Sequence, residues 1–250
     1  MSWLVAGWLV SLAAGFIQGI AGFGFGLAFG PAMLLVAPPH LVVIATFVLG
    51  IPINLAVALQ ARRAWSRVLS PAVIAGGLLG VPLGTWLLAR LPVQDLRGAI
   101  PALALVGAIG WLLVRPRPLP PRIEAWLAGP VALGSGVVNG ATGMGSPILA
   151  LLAATQRWDK TMSRGLLATF SLTTFVLGLT AALLAHVSAR GTLGTAVAWL
   201  PTALGGSWLG TRASARVNPD RFPGLLVAVV VLCALAALVS LLASATRLRG

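Results

Sequence analysis

Acidic residues are almost absent from this 250-residue sequence, which has only four: Asp95, Glu124, Asp159 and Asp220. All four lie at the edges of apolar segments, so no such segment holds a carboxylate that could bind a cation or relay protons. This absence counts against a carrier of metal ions or sodium. Cysteine is equally scarce, and the single Cys233 cannot form an internal disulfide, which excludes a disulfide-stabilised secreted module.

Patterns typical of catalysis and metal binding are also missing. The two histidines, His40 and His186, stand alone at segment ends without a partner at metal-ligand spacing. The sequence has no glycine and lysine loop for binding phosphate, and no nucleophile, base and orienting residue occur together. We therefore expect no enzyme activity, no catalytic residue, no bound metal and no cofactor.

Apolar residues and glycine are what the sequence has in abundance. Hydrophobic residues make up 58% of the chain, and together with the 30 glycines the share is about 70%, against ~45–50% in soluble domains. The net charge of +13 would suggest a nucleic-acid partner in a soluble chain, but here the basic residues lie between apolar runs, as in loops that flank a membrane. The composition predicts an all-α polytopic membrane protein without a nucleic-acid partner.

The apolar runs divide into eight segments, because a transmembrane helix needs about 20 apolar residues. The predicted segments are 3–37, 41–61, 69–89, 97–114, 124–155, 163–186, 193–213 and 221–243. Segments 3–37 and 124–155 are too long for one crossing and too short for two, and glycines interrupt both near the middle. We expect each to form two half-membrane helices that meet at a glycine break, since glycine is unfavourable inside a continuous helix.

An internal repeat relates the two long segments. At an offset of 121 residues, Gln18-Gly19-x-x-Gly22-x-Gly24 matches Asn139-Gly140-x-x-Gly143-x-Gly145. Two further matches follow in the same order: Ala45-Thr46-Phe47 with Ala168-Thr169-Phe170, and Gly80-x-x-Leu83-Gly84-Thr85 with Gly206-x-x-Leu209-Gly210-Thr211. The repeat predicts one transmembrane domain, 1–250, made of homologous halves at 1–114 and 124–243 with a linker at 115–123. Each half has a re-entrant or broken helix segment and three transmembrane helices.

The basic residues indicate how the two halves are oriented. If each long segment crosses the membrane once, the 17 basic residues divide nine to eight between the two sides. If each long segment enters and returns on one side, the halves are inverted and the division is 12 to 5, the smaller set being Arg90, Arg97, Arg190, Arg247 and Arg249. Because Lys and Arg accumulate in cytoplasmic loops, the sequence favours inverted halves with both termini outside the cytoplasm.

The two glycine breaks are the candidate binding site. A helix that starts at such a break directs unpaired N–H groups, and the positive end of its dipole, at a ligand. Two breaks that meet at the membrane midplane would suit a small anion, with neutral side chains adding hydrogen-bond donors. The predicted substrate-binding residues are Gln18, Gly19, Gly22, Gly24, Gly26, Asn139, Gly140, Thr142, Gly143, Gly145 and Ser146.

Glycine also allows membrane helices to pack closely. Whether helix packing or ligand contact is the favoured interpretation differs from one group of glycines to another. Gly15 with Gly19, and Gly80 with Gly84, have the small-xxx-small spacing of a packing face, so for these four helix packing is favoured over ligand contact. Three glycines within the five residues 22–26 serve packing poorly, and for the breaks ligand contact is favoured.

At Gln18 to Gly26 and Asn139 to Pro147, with the paired Gly-Thr segments, the chain resembles the sulfite exporter TauE/SafE family of bacterial membrane proteins. Ser146 departs from the family's frequent Gly-Gly-Pro step. The resemblance covers essentially the whole chain. It implies transport of small sulfur-containing or organic anions, such as sulfite, sulfonates or sulfoacetate.

We therefore expect a secondary transporter that moves such an anion across the bacterial inner membrane by alternating access, with export as the favoured direction. A passive anion channel and a membrane assembly subunit without transport activity stay open as alternatives. The expected partners are the small anionic substrate and the lipid bilayer, and a homodimer is an option.

Overall fold

A computed structural model of the chain describes residues 2–60, 71–113, 120–144, 148–150, 152, 160–187, 191–213, 231 and 235. Within these residues the protein is helical and contains no strand, which confirms the predicted all-α class. The helices are α1 (Ser2–Ala21), α2 (Phe25–Leu34), α3 (Pro39–Gln60), α4 (Pro71–Arg90), α5 (Val93–Leu113), α6 (Pro121–Thr142), α7 (Lys160–Leu184), α8 (Thr192–Ala198) and α9 (Leu200–Ala213).

Four of these helices are long and apolar enough to cross a membrane: α1, α3, α4 and α7. Large apolar side chains also cover much of the outer surface, and Leu113, Trp126 and Leu184 are 74%, 81% and 77% exposed. A surface of this kind is stable against lipid and would be an aggregation hazard in water. The fold is therefore that of a multi-pass membrane protein.

The first long segment is broken at its glycines, as predicted, but its two arms are unequal. The helix α1 has 20 residues, about 30 Å, which is the full thickness of the hydrocarbon layer, whereas α2 has 10 residues. The expectation of two half-membrane helices is therefore wrong for α1, and it is wrong in the same way for α6, which has 22 residues before the second break. The physical reason is that Gly15 and Gly19 remain helical, while the left-handed φ angles that end α1 occur at Gly22 and Gly24.

The short helix α2 returns alongside α1. Phe29 of α2 lies against the ring of Trp199, with 6.0 Å between ring centroids. The same Trp199 is fully buried and donates its indole N–H to the carbonyl of Leu4, near the start of α1. A residue soon after the break is thus close to residues far before it, so the chain folds back on itself at the break.

The predicted span 193–213 is divided into α8 and α9. The division falls at Trp199, and Pro201 occupies the first turn of α9. Proline has no N–H to continue a hydrogen-bond ladder but fits the start of a helix. The predicted span 221–243 lies outside the described residues except for 231 and 235.

Glycine faces hold two pairs of helices in close contact. In the pair α1 and α9, a Cβ atom added to Gly15 or Gly19 would collide with the carbonyl oxygen of Ala203 or Ser207. In the pair α4 and α6, a Cβ at Gly80 or Gly84 would collide with the carbonyl oxygens of Leu133 and Val137 in the same way. The packing interpretation of these four glycines is confirmed, because only glycine lets the backbones approach this closely.

The contacts between the predicted halves are reciprocal. The first helix of each half packs on a later helix of the other half, α1 on α9 and α6 on α4. Between these pairs α3 packs on α7, where the ring of Phe175 lies against Gly50 and the ring of Phe47 against Gly178. The pairing of an early residue of α3 with a later residue of α7 means that these two helices run antiparallel.

Candidate functional site

The two breaks have the same backbone geometry. Gly22 and Gly143 both adopt left-handed φ angles, 82° and 73°. The N–H of each donates to a carbonyl four residues earlier, Gly22 to Gln18 and Gly143 to Asn139, over 2.7 Å in both cases. A left-handed glycine just after the last helical turn is a common helix ending. The residues matched by the repeat thus end α1 and α6 alike.

Gln18 holds the first break together. Its side-chain oxygen accepts the N–H of Phe25, the first residue of α2, over 2.9 Å. Its amide nitrogen donates to Asn54 Oδ1 over 3.0 Å and to the carbonyl of Gly22 over 3.3 Å. We expected the first N–H groups after a break to be free for a ligand, but the N–H of Phe25 is occupied by Gln18. The next two amides of α2, those of Gly26 and Leu27, still have no partner one turn earlier within the helix.

Asn139 has the corresponding position at the second break. Its side-chain nitrogen donates to Thr174 Oγ1 of α7, and the residue is fully buried. Thr142 closes the end of α6, because its hydroxyl donates to the carbonyl of Val138 and accepts the N–H of Met144. In both halves, then, an amide side chain of the repeat binds a polar residue of the following long helix, Asn54 in α3 or Thr174 in α7.

A small cleft lies where the two breaks meet. From the first break it is lined by Gln18, Gly24 and Gly26, and from the second by Gly143. A Cβ atom on Gly26 would collide with the carbonyl oxygen of Gly143, so the breaks are in direct contact. The remaining lining residues are Phe25, Leu27, Asn54, Met144, Ser171 and Phe175.

The other predicted site residues lie elsewhere or cannot be placed. Gly19 packs on α9 and Gly140 on α4, so both have the surroundings of a packing residue. Asn139 and Thr142 are buried at the second break and are not among the residues that line the cleft. Gly22 lies beside the side chain of Arg164. Gly145 and Ser146 lie outside the described residues.

Sequence reasoning missed two polar residues of the cleft, Asn54 and Ser171. Both are buried. Asn54 lies in a long helix that is otherwise largely apolar, and that contrast was the available signal, because polar side chains within membrane helices commonly mark a functional site. Ser171 lies among Thr169, Thr173 and Thr174 of α7 and gave no such contrast. The approach of Asn54 and Ser171 to the glycine breaks depends on how α3 and α7 pack, which the repeat does not specify.

Arg164 is a third residue that the sequence interpretation treated only as a loop charge. It lies near the start of α7, and its Nη2 donates to the carbonyl of Gly19 over 3.3 Å. Its side chain fills the space beside Gly22, where an added Cβ would lie 2.8 Å from Arg164 Nε. A guanidinium group therefore lies next to the first break.

Acidic groups are absent from the described surroundings of the cleft. Of the acids whose side chains the structure describes, Asp95 is the sole example, and it is exposed in the first turn of α5. The described residues also contain no group of three His, Cys, Asp or Glu that could hold a metal ion. The described polar groups at the cleft are therefore the side-chain amides of Gln18 and Asn54 and the hydroxyl of Ser171, with a guanidinium nearby. Neutral and positive groups of this kind suit an anion better than a cation.

Broken helices that meet at a polar cleft, surrounded by apolar helices of membrane-spanning length, are the architecture of a membrane transporter. The comparison with protein families gives the particular class. The family model described as Sulfite exporter TauE/SafE matches residues 7–237, and the chain belongs to this family. The protein is therefore a multi-pass membrane transporter of the family for sulfite or related anions. No curated protein and no solved structure matches the chain.

Proposed function

We propose that the protein is a secondary transporter that moves sulfite, a sulfonate, sulfoacetate or a similar small organic anion across the bacterial inner membrane by alternating access. The observation that carries this proposal is the cleft at which the two breaks meet, with the polar residues Gln18, Asn54 and Ser171 in its lining. The amide of Asn54, which donates one N–H to the carbonyl of Gly50, and the hydroxyl of Ser171 can replace part of an anion's hydration shell. Affinity would stay moderate, since these groups are neutral, and moderate affinity allows release.

Export is the preferred direction in this proposal. The predicted cytoplasmic side carries 12 of the 17 basic residues, which would concentrate anions at that opening. The rate of this recruitment should fall as ionic strength rises, because exposed charges are screened.

Uptake into proteoliposomes tests the transport proposal. We expect reconstituted protein to accumulate at least one labelled anion among sulfite, methanesulfonate and sulfoacetate, and to leave a labelled neutral sugar outside. Empty liposomes provide the control. Failure of all three anions would reject transport and favour the alternative of a membrane subunit without transport activity.

Electrical recording separates a carrier from a passive anion channel. A carrier that changes conformation once in each cycle moves few ions, whereas a channel needs a continuous wet pore. We expect anion flux without resolvable unitary currents. Large unitary currents would contradict the carrier mechanism and would indicate a channel lined by the same cleft.

We further propose that the two halves are inverted relative to each other. The antiparallel run of α3 and α7 supports this, because the repeat matches Thr46 of α3 with Thr169 of α7. Equivalent helices that run in opposite directions are what a pseudo-two-fold axis in the membrane plane produces. The reciprocal packing of α1 on α9 and of α6 on α4 agrees with the same axis.

A reporter fused after Gly250 tests this orientation. With inverted halves and both termini outside the cytoplasm, we expect alkaline phosphatase fused there to be active and a fluorescent protein that folds only in the cytoplasm to be dark. A fusion after Arg115, on the linker, is predicted to give the opposite pair of results and serves as the matched control. A cytoplasmic signal after Gly250 would contradict the predicted topology.

A further inference from the structure

We propose that Arg164 is the fixed positive charge that draws the anion to the cleft and makes the site select anions over neutral molecules. This inference rests on the proposed transport of a small anion and adds to it a specificity-determining residue. The predicted site contained neutral donors alone. The structure places a guanidinium beside the first break, where none was expected.

The position of Arg164 on α7 connects it to the cleft. Ser171 and Phe175, which line the cleft, follow Arg164 by seven and eleven residues and so lie on the same face of the helix. Seven residues correspond to about 10 Å of helix rise. Arg164 therefore lies about two turns from the cleft, on the face of α7 that leads to it.

The side chain of Arg164 is directed at the first break. Its stem lies against Gly22, and its Nη2 reaches the carbonyl of Gly19. The carbonyl of Gly22 is in turn a hydrogen-bond acceptor for Gln18, which lines the cleft. A single residue, Gly22, thus separates the guanidinium stem from a cleft-lining side chain. Any side chain at position 22 would displace the arginine.

Among the described residues the guanidinium makes one hydrogen bond, to the carbonyl of Gly19, although an arginine carries several N–H donors. No described carboxylate pairs with it, since Asp95 is exposed on α5. A partly buried cation in a membrane protein is costly unless it has a partner of opposite charge. An anion on its way to the cleft would be that partner.

Among the described residues, a cation lies beside the first break and none lies beside the second. At the second break the described residue beside the left-handed Gly143 is Thr46 of α3, and α3 contains neither Arg nor Lys. The described parts of the two otherwise similar breaks therefore differ in charge. In the proposal this difference makes the first break the more electropositive end of the anion path.

Substitution of Arg164 tests its role in proteoliposomes. We expect Arg164→Gln to raise the KM for the transported anion by roughly tenfold or more, because a charged partner is lost. The value of kcat should change much less, and Arg164→Lys should recover part of the affinity. Arg212→Gln is the matched control, since Arg212 lies over the exposed ring of Trp208 on α9, and its KM should equal that of the wild type. An unchanged KM in Arg164→Gln would overturn the proposal.

Two further measurements keep the outcome unambiguous. The variant Asp159→Asn tests whether Arg164 serves only to pair with an acid five residues earlier in the sequence. If Asp159→Asn raises the KM as much as Arg164→Gln does, Arg164 has that structural role and the proposed role in anion binding is overturned. If Arg164→Gln does not assemble, a protection experiment on the wild-type protein tests the proposal instead. Sulfoacetate should protect Arg164, but not Arg212, from modification by phenylglyoxal, and absence of protection rejects the proposal.

The failure of the transport proposal would look different. In that case the wild-type protein itself moves no anion, whereas failure of the Arg164 proposal alone leaves wild-type transport intact and the KM of Arg164→Gln normal.

Discussion

Replacing Gly206 by leucine is expected to abolish recovery of folded protein, whereas the same change at the neighbouring Gly205 is expected to be tolerated. A Cβ atom on Gly206 would collide with the carbonyl oxygen of Leu12 and lie 3.0 Å from the amide nitrogen of Phe16, both on α1. These are backbone atoms, so no rotamer change can relieve the collision. The helices α1 and α9 would have to separate.

The expected cost of Gly206→Leu is at the upper end of what overpacking causes, about 3 kcal/mol or more, because the whole helix contact opens. At Gly205 a Cβ atom would meet no atom within 4 Å. Leucine also favours the helix over glycine by several tenths of a kcal/mol. The measurement is the monodisperse fraction in detergent and the Tm of that fraction. Equal behaviour of the two variants would mean that α1 and α9 are not packed through their glycines.

Gln18→Glu is expected to eliminate anion transport in correctly assembled protein. A carboxylate at position 18 can still accept the N–H of Phe25 and so keep the start of α2 in place. It cannot donate to Asn54 Oδ1 or to the carbonyl of Gly22, and it adds a negative charge to the lining of the cleft. Repulsion of the anion then adds to the loss of two buried hydrogen bonds, each worth about 1 kcal/mol.

A comparison of two substitutions separates electrostatics from structure. Gln18→Ala removes the hydrogen bonds without adding charge, so it should lower uptake by about tenfold to a hundredfold, while Gln18→Glu should lower uptake below detection. Gln94→Glu, on the exposed surface of α5, is the control and should transport like the wild type. If Gln18→Glu transports the anion as well as Gln18→Ala does, the cleft near Gln18 is not on the path of the anion.

The breaks and the packing faces could be predicted from sequence because glycine acts locally. A glycine that adopts a left-handed φ ends a helix whatever surrounds it, and the repeat identified Gly22 and Gly143 as equivalent. The spacing of Gly80 and Gly84 likewise predicts a packing face. The unequal arms of the first segment could not be predicted, since glycine density alone does not say which glycine leaves the helix.

The composition of the cleft depended on tertiary contacts. Asn54 and Ser171 approach it because α3 and α7 pack against each other, and no spacing along the chain encodes that contact. Arg164 was harder still, because its neighbours Gly19 and Gly22 are more than 140 residues away in the sequence. The count of basic residues along the chain assigned this arginine to a loop, whereas its long side chain extends to the first break.

The reciprocal packing of α1 on α9 has a consequence for biosynthesis. Trp199 and Leu4 are bonded to each other although 195 residues separate them, so α1 enters the membrane long before its partner has been translated. During that interval the glycine face of α1 has only lipid or insertion machinery beside it. Native contacts of such long sequence separation slow folding, and neither half can complete its own helix pairs. Each half of the chain therefore behaves as an unfinished folding unit until the other is made.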